Sequence, residues 1–130
     1  MNSQKDTQKI IFRGKEYFCS LDLTLSLIGG KWKTMMIYML KDGALRSSDL
    51  QHKMPGISNK MFTQTARELE KNGIVEREVF PVVPPKVEYR LTKLGKSILP
   101  IIFQMCDWGT NLLETEKRTL QPESNILSEA

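Results

Sequence analysis

Apolar side chains recur with the 3.6-residue period of an α-helix in the first third of the chain. One helix is predicted from Ser20, a residue type favoured at helix N-caps, to the pair Gly29-Gly30, which favours the end of a helix. A second helix, stopped by Asp42-Gly43, has a core-facing apolar stripe that consists of Trp32, Met35, Met36, Met39 and Leu40. Residues 1–16 have no strong period and are expected to form a flexible N-terminal segment.

The middle of the chain has the order of elements of a helix-turn-helix. Ala44-Leu45-Arg46 predict a short edge strand, residues 47–53 a short helix, and Met54-Pro55-Gly56-Ile57 a turn. Ser58 then caps a helix of about four turns, which ends at Asn72-Gly73. A short helix, a tight turn with glycine and a longer helix form a helix-turn-helix, placed here at residues 47–73.

A β-hairpin is predicted after these helices, at residues 74–91, and is called the wing below. Residues 74–80 are rich in β-branched and aromatic types, while Val87, Tyr89 and Leu91 alternate with polar residues. The segment between the strands, residues 81–86, holds three of the six prolines. Because proline has no N–H to donate, this segment cannot extend the strand pairing and is predicted to be a stiff tip.

A long helix is predicted over residues 92–118, with Thr92 as N-cap and a kink near Pro100. Its apolar residues exceed what one small domain can cover, and a second copy of the chain would bury them. This predicted dimer interface consists of Ile98, Ile101, Ile102, Met105, Trp108 and Leu112. Residues 119–130 are polar and are expected to be a flexible tail.

The helix that follows Ser58 is predicted to have one polar and one apolar face. At 100° per residue, an arc of about 140° carries Asn59, Lys60, Thr63, Gln64, Arg67 and Lys71. The opposite arc carries Met61, Phe62, Thr65, Ala66 and Leu69. Amides suit adenine edges, arginine suits guanine, and lysines and hydroxyls suit phosphates. An ordinary solvent-exposed helix also has a polar face, but the second helix of a helix-turn-helix followed by a wing typically enters the DNA major groove.

Composition and charge narrow the classes of function. One histidine, His52, and two cysteines without CxxC spacing leave no catalytic triad, metal site or cofactor site, so we expect no enzyme and no cofactor. The net charge of +4 divides into +1 for residues 1–30, +6 for residues 31–96 and −3 for residues 97–130. A polyanion would therefore be drawn to the middle of the chain, although a solvated basic surface is the alternative. With no signal peptide and no apolar run of the roughly 20 residues that span a membrane, we expect a cytoplasmic protein without a membrane partner.

The chain resembles the HxlR family of bacterial winged-helix transcriptional regulators, relatives of the MarR type, from Cys19 to about Gly109. The matching motifs are Leu27-Ile28-Gly29-Gly30-Lys31-Trp32, Pro55-Gly56-Ile57-Ser58 with Lys60-Met61, Arg67-Glu68-Leu69-Glu70, Gly73-Ile74-Val75-Glu76-Arg77, Val83-Pro84-Pro85-Lys86-Val87-Glu88-Tyr89, Leu91-Thr92 and Trp108-Gly109. The family usually has an aromatic residue in place of Ser47 and a leucine in place of Ala66, which predicts looser packing between the two helices. The predicted fold class is mainly α with a small β-hairpin wing (α+β): one winged helix-turn-helix domain at residues 17–118.

The resemblance implies a homodimer with terminal dimerisation helices that binds a palindromic or pseudo-palindromic operator in double-stranded DNA and represses transcription. In each subunit we expect Asn59, Lys60, Thr63, Gln64 and Arg67 to enter the groove. Ser48 and Ser58 are expected at phosphates, with Arg77 and Lys86 on the wing side. The alternative is a winged-helix protein-interaction module without sequence-specific DNA binding.

Two signals are candidates for release from DNA: oxidation of a thiol, or a small ligand. Cys19 precedes the predicted N-cap Ser20, and a helix N-terminus stabilises a thiolate. The resemblance implies redox sensing here, since several HxlR-type repressors sense electrophiles or oxidants through a cysteine at this place. The alternative is a small packing cysteine. Cys106 is expected in the core, with the role of resolving thiol as its alternative.

Overall fold

The structure, a computed structural model, describes residues 9–120, with side chains described to residue 118. The elements are, in chain order, β1 (Ile10–Phe12), β2 (Lys15–Tyr17), α1 (Ser20–Ile28), α2 (Lys31–Met39), β3 (Leu45–Arg46), α3 (Ser47–His52), α4 (Asn59–Lys71), β4 (Val75–Phe80), β5 (Lys86–Leu91), α5 (Lys93–Ser97) and α6 (Leu99–Leu120). The chain divides into two compact units, one ending at Ser97 and the other beginning at Ile98. The predicted α+β fold class is confirmed, with α3 and α4 as the helix-turn-helix and β4–β5 as the wing.

The N-terminal segment contains an antiparallel hairpin that the sequence did not predict. Strands β1 and β2 pair with Ile10 opposite Tyr17 and Phe12 opposite Lys15. The turn between them consists of Arg13 and Gly14, which have left-handed φ angles of 51° and 78°. An arginine is rare at the first position of such a turn, so the usual Asn-Gly signal is missing from the sequence. The expectation of a flexible segment is therefore wrong for residues 10–16, and residues 1–8 lie outside the described residues.

Helix α1 begins one residue earlier than predicted. Cys19 is the N-cap residue, with extended φ and ψ angles of −166° and 177°, and Ser20 is the first helical residue. No side chain caps the helix in the usual way. Instead, the carboxylate of Asp22 accepts a hydrogen bond from the backbone N–H of Phe18, at 2.8 Å, which satisfies a donor just before the first turn.

The end of α1 uses its two glycines for different reasons. Gly29 has a φ of −71°, outside the left-handed region that the sequence predicted for the helix end, whereas Gly30 has a φ of 86° and is the N-cap of α2. Gly29 is required by space, because a Cβ there would lie 2.2 Å from the carbonyl oxygen of Leu25.

The core of the first unit surrounds the contact of α2 with α4. The side chains at most 1% exposed are Met36, Ile37, Leu40, Leu50, Met54, Ala66 and Leu69. The predicted stripe on α2 is confirmed at Met36 and Leu40, while its other three members are half-buried. Ile37, which the prediction omitted, is fully buried because α2 turns positions 36, 37 and 40 toward α4.

The wing belongs to a three-stranded antiparallel sheet with the order β3-β5-β4. Val75 pairs with Leu91 and Phe80 with Lys86, so residues 81–85 form the tip of the hairpin. Leu45 pairs with Tyr89, which confirms the predicted edge strand. This sheet sets the wing beside α4, which β4 contacts.

The predicted long helix is two helices, so a single helix over residues 92–118 is wrong. Thr92 is the expected cap of α5: its Oγ1 accepts from the backbone N–H of Gly95 at 3.0 Å. The chain then breaks at Ile98, and Pro100 lies in the first turn of α6, where its missing N–H costs no helical bond. The backbone of α6 continues to Leu120, so residues 119 and 120 do not belong to a tail, and residues 121–130 lie outside the described residues. No helix within residues 9–120 is long and apolar enough to cross a membrane.

Candidate nucleic-acid interface

Helix α4 carries most of the residues that the sequence predicted for DNA contact. Ser58 is its N-cap, and its Oγ accepts from the backbone N–H of Met61 at 3.0 Å, as predicted. All five predicted groove residues of α4 are exposed, namely Asn59, Lys60, Thr63, Gln64 and Arg67. The buried face consists of Phe62, Thr65, Ala66 and Leu69. Met61 is the exception, at 38% exposed, because it lies in the first turn at the edge of the apolar arc.

A concave site of about 520 Å³ lies between α3, α4 and the wing. It is lined by Ser47, Gln51, Asn59, Phe62, Thr63, Arg67, Glu70, Arg77, Val87 and Tyr89. The ring of Tyr89 meets that of Phe62 edge-on at 6.2 Å, which joins the wing to the base of α4. The fold thus brings four predicted DNA-binding residues from two elements to one site: Asn59, Thr63 and Arg67 of α4 and Arg77 of β4.

The remaining predicted residues lie outside this concave site. Lys60 and Gln64 line a shallower groove along α4. Ser48 is exposed in the first turn of α3, and Ser58 is exposed just before α4.

Asn59 is held by a residue that sequence reasoning missed. The side-chain amide of Gln51, on α3, donates to Oδ1 of Asn59 at 2.6 Å. With its oxygen engaged, Asn59 presents mainly its amide N–H groups to a ligand, which favours acceptors such as guanine edges or phosphate oxygens. The polar position of Gln51 near the end of α3, just before the turn, was the only signal in the sequence.

Gln64 is also held, by a pair of residues that sequence reasoning missed. Its amide donates to Glu68 Oε2 at 3.3 Å, and Lys33 of α2 lies 3.3 Å from Glu68 Oε1. The hydrogen bond from Gln64, and then the one from Lys33, lower the pKa of Glu68 below its ordinary value. Lys33 also donates to the carbonyl oxygen of Ser26 at 3.1 Å, so this network links α1, α2 and α4.

The two faces of the wing differ in their charges. On the outer face, Arg90 forms ion pairs with Glu76, at 3.5 Å, and with Glu78. Both carboxylates raise the pKa of Arg90, and the hydrogen bond to Glu78 has the larger effect. On the same face, Lys86 is 3.4 Å from Glu88 and lies over the ring of Phe80 at 4.5 Å.

The predicted wing cation Lys86 is therefore already paired, whereas Arg77 lies on the face that lines the concave site. Within the described residues, Lys60, Arg67 and Arg77 are exposed and form no ion pair or hydrogen bond. Among the cations predicted to contact DNA, these three side chains are the ones left available for a polyanion.

The two cysteines are free thiols in different surroundings. Cys19, at the N-cap of α1, is half-buried, and Cys106, on α6, is exposed. The expectation that Cys106 is a core residue is wrong for the single chain, because its face of α6 is not covered. His52 is exposed, and residues 9–120 contain no group of three or more His, Cys, Asp or Glu able to hold a metal ion.

Helix α6 presents a large apolar surface. Of the six residues predicted for a dimer interface, Ile102 is buried at 2% exposed, Ile98 is half-buried and the other four are exposed, with Trp108 at 70%. The first unit has a second set of exposed apolar side chains, which consists of Phe18, just before α1, and Leu21 and Leu25 in α1. Large apolar patches of this kind on a single chain mark interaction surfaces.

Comparison with known proteins identifies close relatives. Residues 27–117 match the HxlR-like helix-turn-helix family. A relative described as an uncharacterized HTH-type transcriptional regulator, from Methanothermobacter thermautotrophicus, is 50% identical over 94 residues, which cover 72% of each chain. YkvN of Bacillus subtilis, also described as an HTH-type transcriptional regulator, is 43% identical over 114 residues, or 84% of this chain and 97% of its own.

A solved structure agrees with this assignment. The redox regulator HypR in its oxidized form has a TM-score of 0.69 and 46% identity, over 72% of this chain and 96% of its own. The protein is therefore a transcriptional regulator rather than an enzyme. Its match over most of the chain shows that it belongs to the HxlR-like helix-turn-helix family.

Proposed function

We propose that this protein is a homodimeric repressor that binds a palindromic or pseudo-palindromic operator in duplex DNA and is released by oxidation of Cys19. The observation that carries the proposal is the concave site, to which α4 and the wing contribute Arg67 and Arg77 beside Asn59. Neither arginine has an ion pair or hydrogen bond within the described part of the chain. A helix and a strand that face one groove with free cations match the way a winged helix holds a duplex.

The proposed roles follow from the hydrogen-bond donors, acceptors and charges that each side chain has available for DNA. Arg67 reads a guanine edge, Asn59 donates from its amide, and Thr63 and Gln64 contact neighbouring base edges. Lys60, Ser48, Ser58 and Arg77 contact phosphates, whereas Lys86, on the wing, stays paired with Glu88 and makes no phosphate contact. For Ser58 the backbone bond to Met61 N–H uses one lone pair of Oγ, and its hydroxyl hydrogen is free to donate to a phosphate.

The proposal of a dimer is supported by the exposed apolar residues of α6 and α1. Trp108, Met105 and Leu112 are exposed in the single chain. Their burial in a dimer interface would stabilise the dimer by on the order of 1.5–3 kcal/mol for each fully buried large side chain. A twofold axis covers the same patch on both copies and presents two α4 helices to half-sites about one helical turn apart, or a multiple of it.

Selection of random duplex DNA by the reduced protein tests the regulator proposal. We expect a two-fold motif to be enriched, and Arg67→Ala to weaken binding by about 1–3 kcal/mol while relaxing the base preference at one position. Arg118→Ala, which removes an exposed arginine at the far end of α6, is the matched control and should leave binding unchanged. Weak binding to every sequence would instead favour a winged-helix protein-interaction module.

Redox release is supported by the N-cap position of Cys19, by the exposure of Cys106 and by the likeness to a redox regulator. In the proposed step, diamide takes two electrons and two protons from a pair of thiols and becomes the hydrazine, while the two sulfurs form a disulfide. Cys106 of the second copy is the proposed partner thiol.

Cys19→Ser should bind DNA like the wild type but keep binding after diamide treatment. Cys106→Ser should share this resistance and lose the disulfide-linked dimer on a non-reducing gel. A Cys19→Ser protein as sensitive as the wild type would refute sensing through Cys19, and a wild type insensitive to diamide would leave a small ligand as the inducing signal.

A further inference from the structure

A second concave site, of about 430 Å³, lies beside the N-terminal hairpin, away from the residues proposed to contact DNA. It is lined by Phe12, Arg13, Lys15, Tyr17, Ser26, Leu27, Lys71 and Asn72. These residues come from the hairpin β1–β2 and from the last turns of α1 and α4. We propose that this site binds a small organic anion, a carboxylate or phosphate attached to an apolar group.

The charge of the site favours an anion. Three of its lining residues are cations, Arg13, Lys15 and Lys71, and no carboxylate is among the described residues that line it. The alternation of the strands explains this, because Phe12, Lys15 and Tyr17 share one face of the hairpin while Glu16, which pairs with Ile11, lies on the other. Like charges gathered in this way repel one another until a counter-charge binds between them.

Arg13 and Lys15 each contact a neighbouring aromatic ring but keep hydrogen-bond donors available for a ligand. Arg13 donates one bond, from Nη1 to the carbonyl oxygen of Asn72 at 3.0 Å, and its guanidinium lies 4.7 Å from the centre of the Phe12 ring. Four of its five N–H groups remain for a ligand. Lys15 lies 5.5 Å from the Tyr17 ring centre and, among the described residues, its ammonium has no hydrogen bond or ion pair.

The backbone at Arg13 is a further sign of a functional position. Its φ of 51° is a left-handed conformation that Asn and Gly adopt far more readily than Arg. The strained conformation directs the guanidinium toward the end of α4, where it meets Asn72. Strain of this kind tends to be retained where a side chain is needed at one place.

Apolar side chains line part of the site and would contact the apolar group of the proposed ligand. Leu27 and Phe12 are half-buried at the wall of the site, and Tyr17 is buried. Because Arg13 also bonds the C-cap residue of α4, a ligand that draws the guanidinium away would act on the helix proposed to read DNA. That consequence, unlike the binding itself, rests on the proposed function.

The test is a titration of the isotope-labelled, reduced full chain, without DNA, followed by the NMR shifts of its backbone amides. The probes are benzoate and phenyl phosphate, with inorganic phosphate as an anion without a ring and benzyl alcohol as a ring without charge. We expect saturable shifts at residues 12–17 and 71–72 with at least one of the two organic anions. We expect inorganic phosphate to bind at least about tenfold more weakly and benzyl alcohol to cause no saturable shift.

Two variants and a matched control accompany the titration. Arg13→Asn keeps a residue that tolerates the left-handed turn, so it preserves the hairpin while it removes the guanidinium. This variant and Lys15→Gln should each weaken binding by about tenfold, whereas Lys93→Gln, an exposed lysine on α5, should not change it.

Three results would overturn the proposal. They are the absence of saturable shifts with both organic anions, equal binding by inorganic phosphate, and unchanged binding in Arg13→Asn. Because the titration contains no DNA, its outcome is independent of whether the chain represses an operator.

Discussion

Replacing Glu88 by Gln should make DNA binding steeper in its dependence on salt, because it frees the ammonium of Lys86. In the structure this ammonium lies 3.4 Å from a carboxylate oxygen of Glu88, and the Lys86 side chain is one-third exposed. A lysine that stays paired with Glu88 releases no counterion from DNA, whereas a freed lysine that reaches a phosphate does.

The magnitude follows from the cations proposed to contact phosphates. Lys60 and Arg77 have no ion pair within the described residues, so a dimer has about four cation–phosphate contacts and log K should fall with log salt at a slope of about −3.6. Two freed Lys86 side chains would bring these contacts to about six and the slope to about −5.4.

The assay is fluorescence anisotropy of a labelled operator duplex between about 50 and 200 mM salt. Glu76→Gln is the matched control, since it removes the same charge from the same face of the wing but leaves Lys86 paired. We expect a slope of about −3.6 for the wild type and for Glu76→Gln, and of about −5.4 for Glu88→Gln. Lys86→Gln should match the wild type.

Two outcomes would refute this reasoning. Equal slopes for Glu88→Gln and Glu76→Gln would mean that freed Lys86 does not reach DNA. A wild-type slope shallower than about −2 would contradict phosphate-dominated binding altogether.

Three further predictions concern stability, each measured by chemical denaturation. Gly95→Ala should lower the free energy of unfolding by about 3 kcal/mol, because its Cβ would lie 2.2 Å from the carbonyl oxygen of Ile74; Lys96→Ala in the same helix should change it little. Thr92→Ala should cost about 1–2 kcal/mol, since Oγ1 caps α5 and also donates to the Gly73 carbonyl at 2.6 Å; an unchanged midpoint would contradict this. Because its folded-state pKa is lowered, Glu68 stabilises the fold above its ordinary pKa of 4.5, and this contribution is lost as the pH falls through the folded value. The wild type should therefore be more stable than Glu68→Gln at pH 7 and lose this advantage in acid, and a difference independent of pH would be inconsistent with this cause.

The sequence by itself determined the elements whose signals are local. The cap at Ser58, the two faces of α4 and the alternation of β5 follow from helix and strand periods of only a few residues. The N-terminal hairpin was not predicted, because its turn places Arg13 in a left-handed conformation that arginine disfavours. The long C-terminal helix was predicted as one because its apolar spacing continues across the break at Ile98, which periodicity does not detect.

The candidate site also has features that follow from the sequence and features that follow only from the tertiary structure. Period and residue type identified Asn59, Lys60, Thr63, Gln64 and Arg67 as one exposed face, and this face is what the sequence determined. Only the tertiary structure decided which of these side chains are held, since partners such as Gln51, which bonds Asn59, and Lys33, which pairs with Glu68 beside Gln64, lie on other elements. Such pairings depend on the distance and angle between packed elements, and a one-dimensional pattern of residue types does not contain them.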